Sequence, residues 1–410
     1  MRIAWRNLLR NRWRSGLTAA GVAVAVAVII WMAHMMDAFL AEMVYGATRA
    51  ELGDFQIHSE AYVEERNLFN TFPSQHIDLE ALRAKPEIAS VTSRVHAWGL
   101  LGHEKTSQTA RLFGVDPVHE PTVTTTANAL ISGTWFASLR PPGLTEVILG
   151  KMLAEQLGVS VGDELVVMLQ AADGSLGNDS LLVRGIVETK NSTLDRHTAF
   201  LRIDDLQWLT ALEGRIHEVA GISATRQGLE NTVVDLAASL DASESRLAVR
   251  SWGKLVPDLK NMSELSKRSM WIFYAIIYLV AGLGLFNTQR MTAYERRREF
   301  GVLLAIGTLP SLLFRHVLAE SAALTAFGGL IGGLLGLAAS WWHSLYGLPL
   351  GDGGFEYMGV AFSERLYFEL DWTQFFVPVV LIVIVGFFCS LWPALSAIRL
   401  DIPSAVSGRQ

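Results

Sequence analysis

The chain has 410 residues, 50% of them hydrophobic and 18% charged, with a mean hydropathy of +0.30, which is more apolar than a soluble protein of this size. The net charge of −6 says nothing about nucleic acid, and no basic stripe interleaved by aromatics suggests it, so no nucleic-acid partner is expected. The lone cysteine, Cys389, excludes an intrachain disulfide and a cysteine metal cluster.

Residues 1–15 place Trp5, Leu8, Leu9 and Trp13 at helical spacing, with Arg2, Arg6 and Arg10 four apart. That pattern predicts an amphipathic helix lying on the cytoplasmic leaflet. Gly16 to Met36 is apolar apart from Thr18 early and His34 late, and a first spanning helix is expected over 16–40 with its N-terminus inside. A cleaved signal peptide is the rival reading, but the apolar run is too long and no small-x-small site follows it closely.

Residues 45–258 form a polar, acidic stretch with no spanning segment, and the charge bias places it outside. Short runs such as Gln56-Ile-His58, Ile88 to Thr92, Ala110 to Val115, Glu146 to Leu149, Glu164 to Leu169, Leu181 to Val187 and Thr198 to Arg202 read as strands. Helical patterns separate them at Asp78 to Ala84, Lys151 to Leu157, Asp204 to Ala211 and Gln227 to Leu240. The expectation is an α+β domain in two lobes, divided near the prolines between Asp116 and Pro142. The stretch Gln170 to Ser180, with Asp173-Gly174 at its turn, predicts a plain hairpin.

A second spanning helix is expected over 268–289, a cytoplasmic segment over 290–310, and a third helix over 311–340. An outer loop over 341–371, a fourth helix over 372–394 and a cytoplasmic tail over 395–410 complete the topology. Gly328, Gly329, Gly332, Gly333 and Gly336 form two overlaid small-xxx-small rows, so the third helix should pack closely on a neighbour. Glu320 in that helix is costly unless paired, and the expectation is an ion pair with nearby Arg315 or His316, because the other helices offer no proton relay.

The segment after the second helix carries Arg290, Arg296, Arg297 and Arg298 flanked by Glu295 and Glu299, then turns apolar through Phe300, Val302, Leu303, Leu304 and Ile306. It reads either as a docking helix for a soluble partner or as an anchor that only fixes topology. On the first helix Trp31, Met32, Met35, Met36, Phe39 and Met43 recur near one face, and Trp271, Phe273 and Tyr274 mark the outer end of the second. Two readings stand: a wall that binds lipidic substrate, or ordinary packing. There is no Gly-x-x-x-x-Gly-Lys-Ser/Thr, His-Glu-x-x-His or Gly-x-Ser-x-Gly, so no catalytic residue and no metal site is expected, and His96 and His103 are read as solvated.

The N-terminal Trp5-Arg-Asn-Leu-Leu-Arg-Asn11, the string Arg297-Arg-Glu-Phe-Gly-Val-Leu-Leu-Ala-Ile-Gly307 and the closing Trp392-Pro-Ala-Leu-Ser-Ala-Ile-Arg-Leu-Asp-Ile-Pro-Ser-Ala-Val-Ser-Gly408 resemble the FtsX/MacB superfamily of ABC transporter permeases. Shorter strings, Gly150-Lys-Met-Leu-Ala154, Gly158-Val-Ser-Val-Gly-Asp163 and Phe368-Glu-Leu-Asp-Trp372, look closest to the lipoprotein-releasing (Lol) subunits. The resemblance implies a membrane α-helical fold of four transmembrane helices with a large α+β extracytoplasmic domain of MacB periplasmic-core type, in a bacterial inner membrane. It implies a non-catalytic subunit that pairs with a second permease copy or paralogue and with two copies of an ATPase, which holds the ATP and Mg. Glu295, Arg296, Arg297, Arg298, Glu299, Phe300 and Gly301 would be the coupling element, and the outer domains would move by mechanotransmission. On the Lol branch the substrate is a lipoprotein or other lipidic molecule passed to a periplasmic carrier. The alternatives are a MacB-like efflux permease with a periplasmic adaptor and an FtsX-like regulator of a cell-wall hydrolase.

Overall fold

The computed structural model describes residues 12–139, 143, 145–225, 228–241, 247–351, 355–357 and 360–399. Most of the expected N-terminal amphipathic helix, Gln227, Pro141, Pro142 and the end of the tail from residue 400 lie outside the described residues. The chain divides into two compact units, one built from residues 1–41, 262–349 and 365–410, the other from 42–261 and 350–364.

Helix α1 (Arg12–Ala47) runs past the expected end at residue 40 and closes in a π-helical turn, Thr48–Leu52. Gly53 ends that turn at φ +74°, its N–H bonded to the Thr48 carbonyl at 2.7 Å. A Cβ there would lie 2.9 Å from the Gly221 carbonyl, so both the backbone angle and the close approach require glycine.

The second unit is built on one ten-stranded mixed sheet: β1 (Phe55–Ser59), β2 (Ile88–His103), β3 (Thr106–Val115), β4 (Leu130–Gly133), β5 (Thr145–Gly150), β6 (Glu164–Gln170), β7 (Leu176–Val187), β8 (Thr198–Arg202), β9 (Glu218–Ser223) and β10 (Leu247–Ser251). Their order is β10-β1-β9-β2-β3-β8-β5-β7-β4, with β6 bridging β2 and β7. Pairing is parallel for β3 with β8 and β5 with β7, and antiparallel elsewhere. Strands β5, β8 and β9 are buried on both faces and read as unbroken runs, whereas β6 alternates, turning Leu165, Val167 and Leu169 inward. Helices α2 (Lys151–Leu157), α3 (Ile203–Leu209) and α4 (Leu229–Asp241) cover the sheet, contributing Leu153, Leu206 and Leu236 to its core.

All seven strand runs named from the sequence lie on this sheet, but two lobes do not form. The sixteen-residue β2 pairs with β9, β3 and β6 and carries one ladder across the expected divide. The proline-rich stretch instead supplies a short helix, Glu120–Val123, and the edge strand β4. The turn between β6 and β7 is the plain hairpin expected, with Gly174 at φ +86°.

The same sheet closes on a buried ionic knot. Arg94 of β2 is fully buried, holding Glu120 through two hydrogen bonds (3.0 and 2.8 Å), Glu218 of β9 at 3.0 Å and the Glu51 carbonyl at 2.6 Å. His96 lies 3.3 Å from the other oxygen of Glu218 and stacks on Tyr62, which corrects the solvated reading of this histidine. Its imidazole shares a face of β2 with Arg94 and Trp98, opposite the core residues Val95 and Ala97. His103, at the exposed end of the strand, has its Nδ1 2.9 Å from the Glu164 carbonyl. The π-helical turn is held at further points: the Arg49 carbonyl accepts from Thr125 N–H (2.9 Å), and Glu51 pairs with Arg111 of β3 (2.6 Å).

Four long apolar helices occur among the described residues: α1, α5 (Pro257–Glu295), α7 (Pro310–Tyr346) and α8 (Thr373–Ile398), with the short α6 (Arg297–Ala305) between α5 and α7. At 39 residues α5 is about 58 Å long and begins eleven residues before the expected 268, so part of it exceeds a hydrocarbon core of about 30 Å. Helix α7 likewise runs to Tyr346, and the loop beyond it forms two small ribbons. Glu356 in one of them accepts from Ser192 N–H (3.0 Å) and Oγ (2.8 Å), which makes this part of the loop a piece of the sheet-bearing unit.

The knot predicts acid sensitivity. Burial, with His96 beside it, pushes the His217 imidazole down to about 3, and burial likewise lowers His58. For Glu218 burial acts upward, but His96 and Arg94 outweigh it and hold its carboxyl well below the usual range. Each of these groups binds its proton more readily once unfolded, so stability is complete above about pH 6.5 and falls as pH drops, by up to about 1.4 kcal/mol per unit per group. Thermal unfolding of the purified chain between about pH 8 and pH 4 should show that decline. His217→Gln should flatten its upper part, and an unchanged slope would contradict the assignment.

Candidate functional site

The candidate site is the cytoplasmic corner where α5 ends and α6 begins. Glu295 is the last residue of α5, Arg296 breaks the helix, and Arg297 to Gly301 form the first turns of α6. The break is held from α7: Arg296 Nη1 donates to Glu320 at 2.8 Å while its Nε donates to Glu299 at 3.2 Å. The guanidinium also lies over the Phe300 ring, 5.1 Å from its centroid. Burial alone would lower the Arg296 pKa, but Glu320 and Glu299 carry it upward, so the group stays charged. Glu320 is therefore ion-paired as expected, yet with Arg296 rather than Arg315 or His316.

Phe300 and Gly301 are buried. The Phe300 ring packs among Leu313 and Val317 of α7 and Ala394 and Ala397 of α8. These residues bind α6 to the chain's own helices. The outward face comprises Arg298, Val302, Leu303 and, at 74% exposure, Ile306. Arg297 is half-buried, and its Nε has no hydrogen-bond partner among the described residues.

The two glycine rows of α7 serve two different neighbours. A Cβ on Gly328 or Gly336 would come within 2.8–2.9 Å of the Ala19 or Ala27 carbonyl of α1, and one on Gly332 would strike the backbone of Ala23. Alanines 19, 23 and 27 thus answer the glycines at the same four-residue spacing. Gly329 and Gly333 face Ile382, Val379 and Phe375 of α8. Close backbone approach of this kind is what associates helices where lipid removes the hydrophobic driving force.

The proposed substrate wall divides. Trp31 packs against His343 and Phe368, with both ring distances 6.1 Å. Met32, Met35, Met36 and Phe39 are half-buried, Trp271 and Phe273 are exposed, and Tyr274 packs edge-on to Trp271 at 5.9 Å. The apolar cleft between α1 and α5, of about 630 Å³, lies nearer the cytoplasmic ends, lined by Gly21, Val24, Val28, Ile276, Val280 and Gly284 among others. The eight residues read as a substrate wall lie outside the lining of this cleft. Sequence reasoning also passed over His34, buried in α1, whose Nδ1 lies 2.8 Å from the Ile30 carbonyl and whose Nε2 accepts from Asp371 N–H at 3.3 Å. A single imidazole in an apolar run was its only signal.

An α/β domain inserted between the first two of four long apolar helices, with a short anchored helix after the second, defines a non-catalytic permease subunit of the ABC transporter class. The comparisons agree. Residues 15–250 match the MacB-like periplasmic core domain and residues 271–402 the FtsX-like permease C-terminal family, and the chain belongs to the FtsX/MacB permease family. It is a multi-pass membrane protein with a large extracytoplasmic domain, and its family works with an ATPase partner.

Among its relatives is the lipoprotein-releasing system transmembrane protein LolC of Xylella fastidiosa (strain 9a5c), 24% identical, covering 96% of this chain and 94% of the relative. LolC of Neisseria meningitidis serogroup B is 25% identical over 82% of each. The macrolide export ATP-binding/permease protein MacB of Pasteurella multocida is 20% identical over 99% of this chain but 59% of its own length. The crystal structure of the periplasmic region of MacB from Actinobacillus actinomycetemcomitans aligns with a TM-score of 0.36 at 15% identity, covering 51% of this chain and 94% of that one.

Glu320→Gln removes the main hold on Arg296, worth on the order of 2 kcal/mol for a hydrogen bond between charged groups. Hydrogen exchange over residues 296–306 should then quicken roughly tenfold or more, with α7 unaffected; equal exchange in both proteins would rule out the tether. Gly332→Leu should lower the melting temperature in detergent by forcing α7 off α1, at a cost of about 1–3 kcal/mol. Gly284→Ala, whose added methyl meets open space, should be tolerated.

Proposed function

We propose that this chain extracts a lipoprotein or other lipidic substrate from the outer leaflet of a bacterial inner membrane, with its large domain in the periplasm, working by mechanotransmission. The observation that carries the proposal is the double character of α6, anchored inward by Arg296 and Phe300 and apolar outward at Val302, Leu303 and Ile306. Two copies of a separate ATPase, holding the ATP and Mg, dock on that outward face. A second permease copy or a paralogue completes the pair.

When the ATPase moves α6, the Arg296–Glu320 pair and the Phe300 contact draw α7 and α8 with it. Helix α1 follows through the glycine seam. The lipoprotein reading is supported by two LolC relatives that align over most of this chain and of their own length. In that reading a periplasmic carrier receives the substrate. A second reading, export with a periplasmic adaptor, is favoured by the MacB relative that aligns over 99% of this chain.

Affinity purification of the tagged chain in mild detergent should recover an ATPase together with triacylated lipoproteins. An ATPase with an adaptor and no acylated protein would favour export, and no ATPase at all would defeat the mechanism. Ile306→Glu should leave the chain folded in the membrane and abolish ATPase recovery. Retention of the ATPase at wild-type yield would show that the outward face of α6 is not the docking surface.

A further inference from the structure

The sheet-bearing unit holds a half-open cavity of about 370 Å³ that no step of the transport reading uses. Its size lies within the range of small-ligand pockets, roughly 300–1,000 Å³. It opens between β2, β3 and the segment after β1, and its walls are aromatic: Tyr62 comes from the short helix Glu60–Glu64, Phe69 from the loop beyond it, and Trp98 from β2. Phe69 and Trp98 are exposed although they sit on a well-packed domain, 64% and 61% respectively. Exposed aromatics at the mouth of a polar cavity are the usual means of holding the apolar part of a ligand.

The charged residues of the cavity divide into committed and uncommitted groups. Glu218 is consumed by Arg94 and His96, and Glu51 by Arg111. Arg66 lines the cavity, exposed, and makes no ion pair or hydrogen bond among the described residues. Arg111 meets Glu51 through Nη2 alone, and its buried Nε has no hydrogen-bond partner among the described residues. The Arg66 guanidinium thus faces a space whose carboxylates are already satisfied, and Arg111, stacked over the Phe113 ring at 4.9 Å, stands in the wall beside it. A planar donor fork of this kind suits a carboxylate or a phosphate.

We infer that this cavity is a binding site for a small anionic compound with an apolar body, its carboxylate or phosphate held by Arg66 and Arg111 and its body against Trp98, Phe69 and Tyr62. Glu51 and Leu52, in the turn that closes α1, form part of the wall. A ligand drawing on Arg111 competes with Glu51 for the same guanidinium, so occupancy loosens one of the holds on that turn. The site does not depend on what the permease transports.

The test uses the full-length chain in lipid nanodiscs and fluorine NMR of three probes: N-acetyl-4-fluorophenylalanine, 4-fluorophenyl phosphate, and the uncharged amide of the first. Saturable line broadening is expected for one or both anions and not for the amide, with empty nanodiscs as the blank. Binding by one anion alone supports the site and identifies its headgroup. Arg66→Ala, at an exposed unpaired position, should weaken binding at least tenfold without altering the melting temperature, and Trp98→Ala should weaken it as well. The site is overturned if the amide binds as well as the anions, if Arg66→Ala leaves affinity unchanged, or if no probe saturates.

Discussion

The membrane part of this protein depends on the approach of two backbones at Gly332 and Ala23, where no side chain separates α7 from α1. Lipid supplies no hydrophobic force between helices, so what holds them is the contact area that absent side chains make available. The same helix turns its other glycine row to α8 and receives Arg296 and Phe300 at its cytoplasmic end. Helix α7 is therefore the member through which α1, α6 and α8 are joined. Substituting the alanines or glycines along this seam alters the whole bundle, whereas substitution at outward positions on α5 does not reach it.

A different kind of interaction governs the sheet-bearing unit. A fully buried arginine is tolerable only if its charge is met at short range, and Arg94 meets two carboxylates and a backbone carbonyl. Apolar residues could fill the same volume at similar stability, but they would not specify position as this knot does. Glu51, Glu120 and Glu218 come from three separate stretches of chain, and only one arrangement of those stretches satisfies the guanidinium. The knot thus registers the assembly of these three stretches against β2.

The features legible in the sequence were those written in local periodicity. Long apolar runs marked the four helices, alternation and β-branching marked the strands, and the glycine spacing marked a packing face. What periodicity does not encode is the identity of partners. The two rows of α7 were visible, but not that one serves α1 and the other α8. Glu320 invited a neighbour one turn away, and its actual partner reaches it across the bend between α5 and α7. His96 was misread because Glu218, 122 positions later, is brought beside it only by the pairing of β2 with β9. The two-lobe expectation failed for the same reason, since prolines mark a local interruption while the continuity of a sheet is set by strands distant in sequence.

The junction at the base of the sheet bears on how such a domain can be exchanged. Strands β1 and β10, the first and last of the unit's sheet, are paired with each other, and Trp252 N–H donates to the Asp54 carbonyl at 2.9 Å. The inbound and outbound chains are thus already side by side, one hydrogen bond apart. Everything between them is an insertion whose two ends need only a short bridge to close. In modular terms β1 and β10 are a two-strand socket: the chain enters and leaves the domain through neighbouring strands.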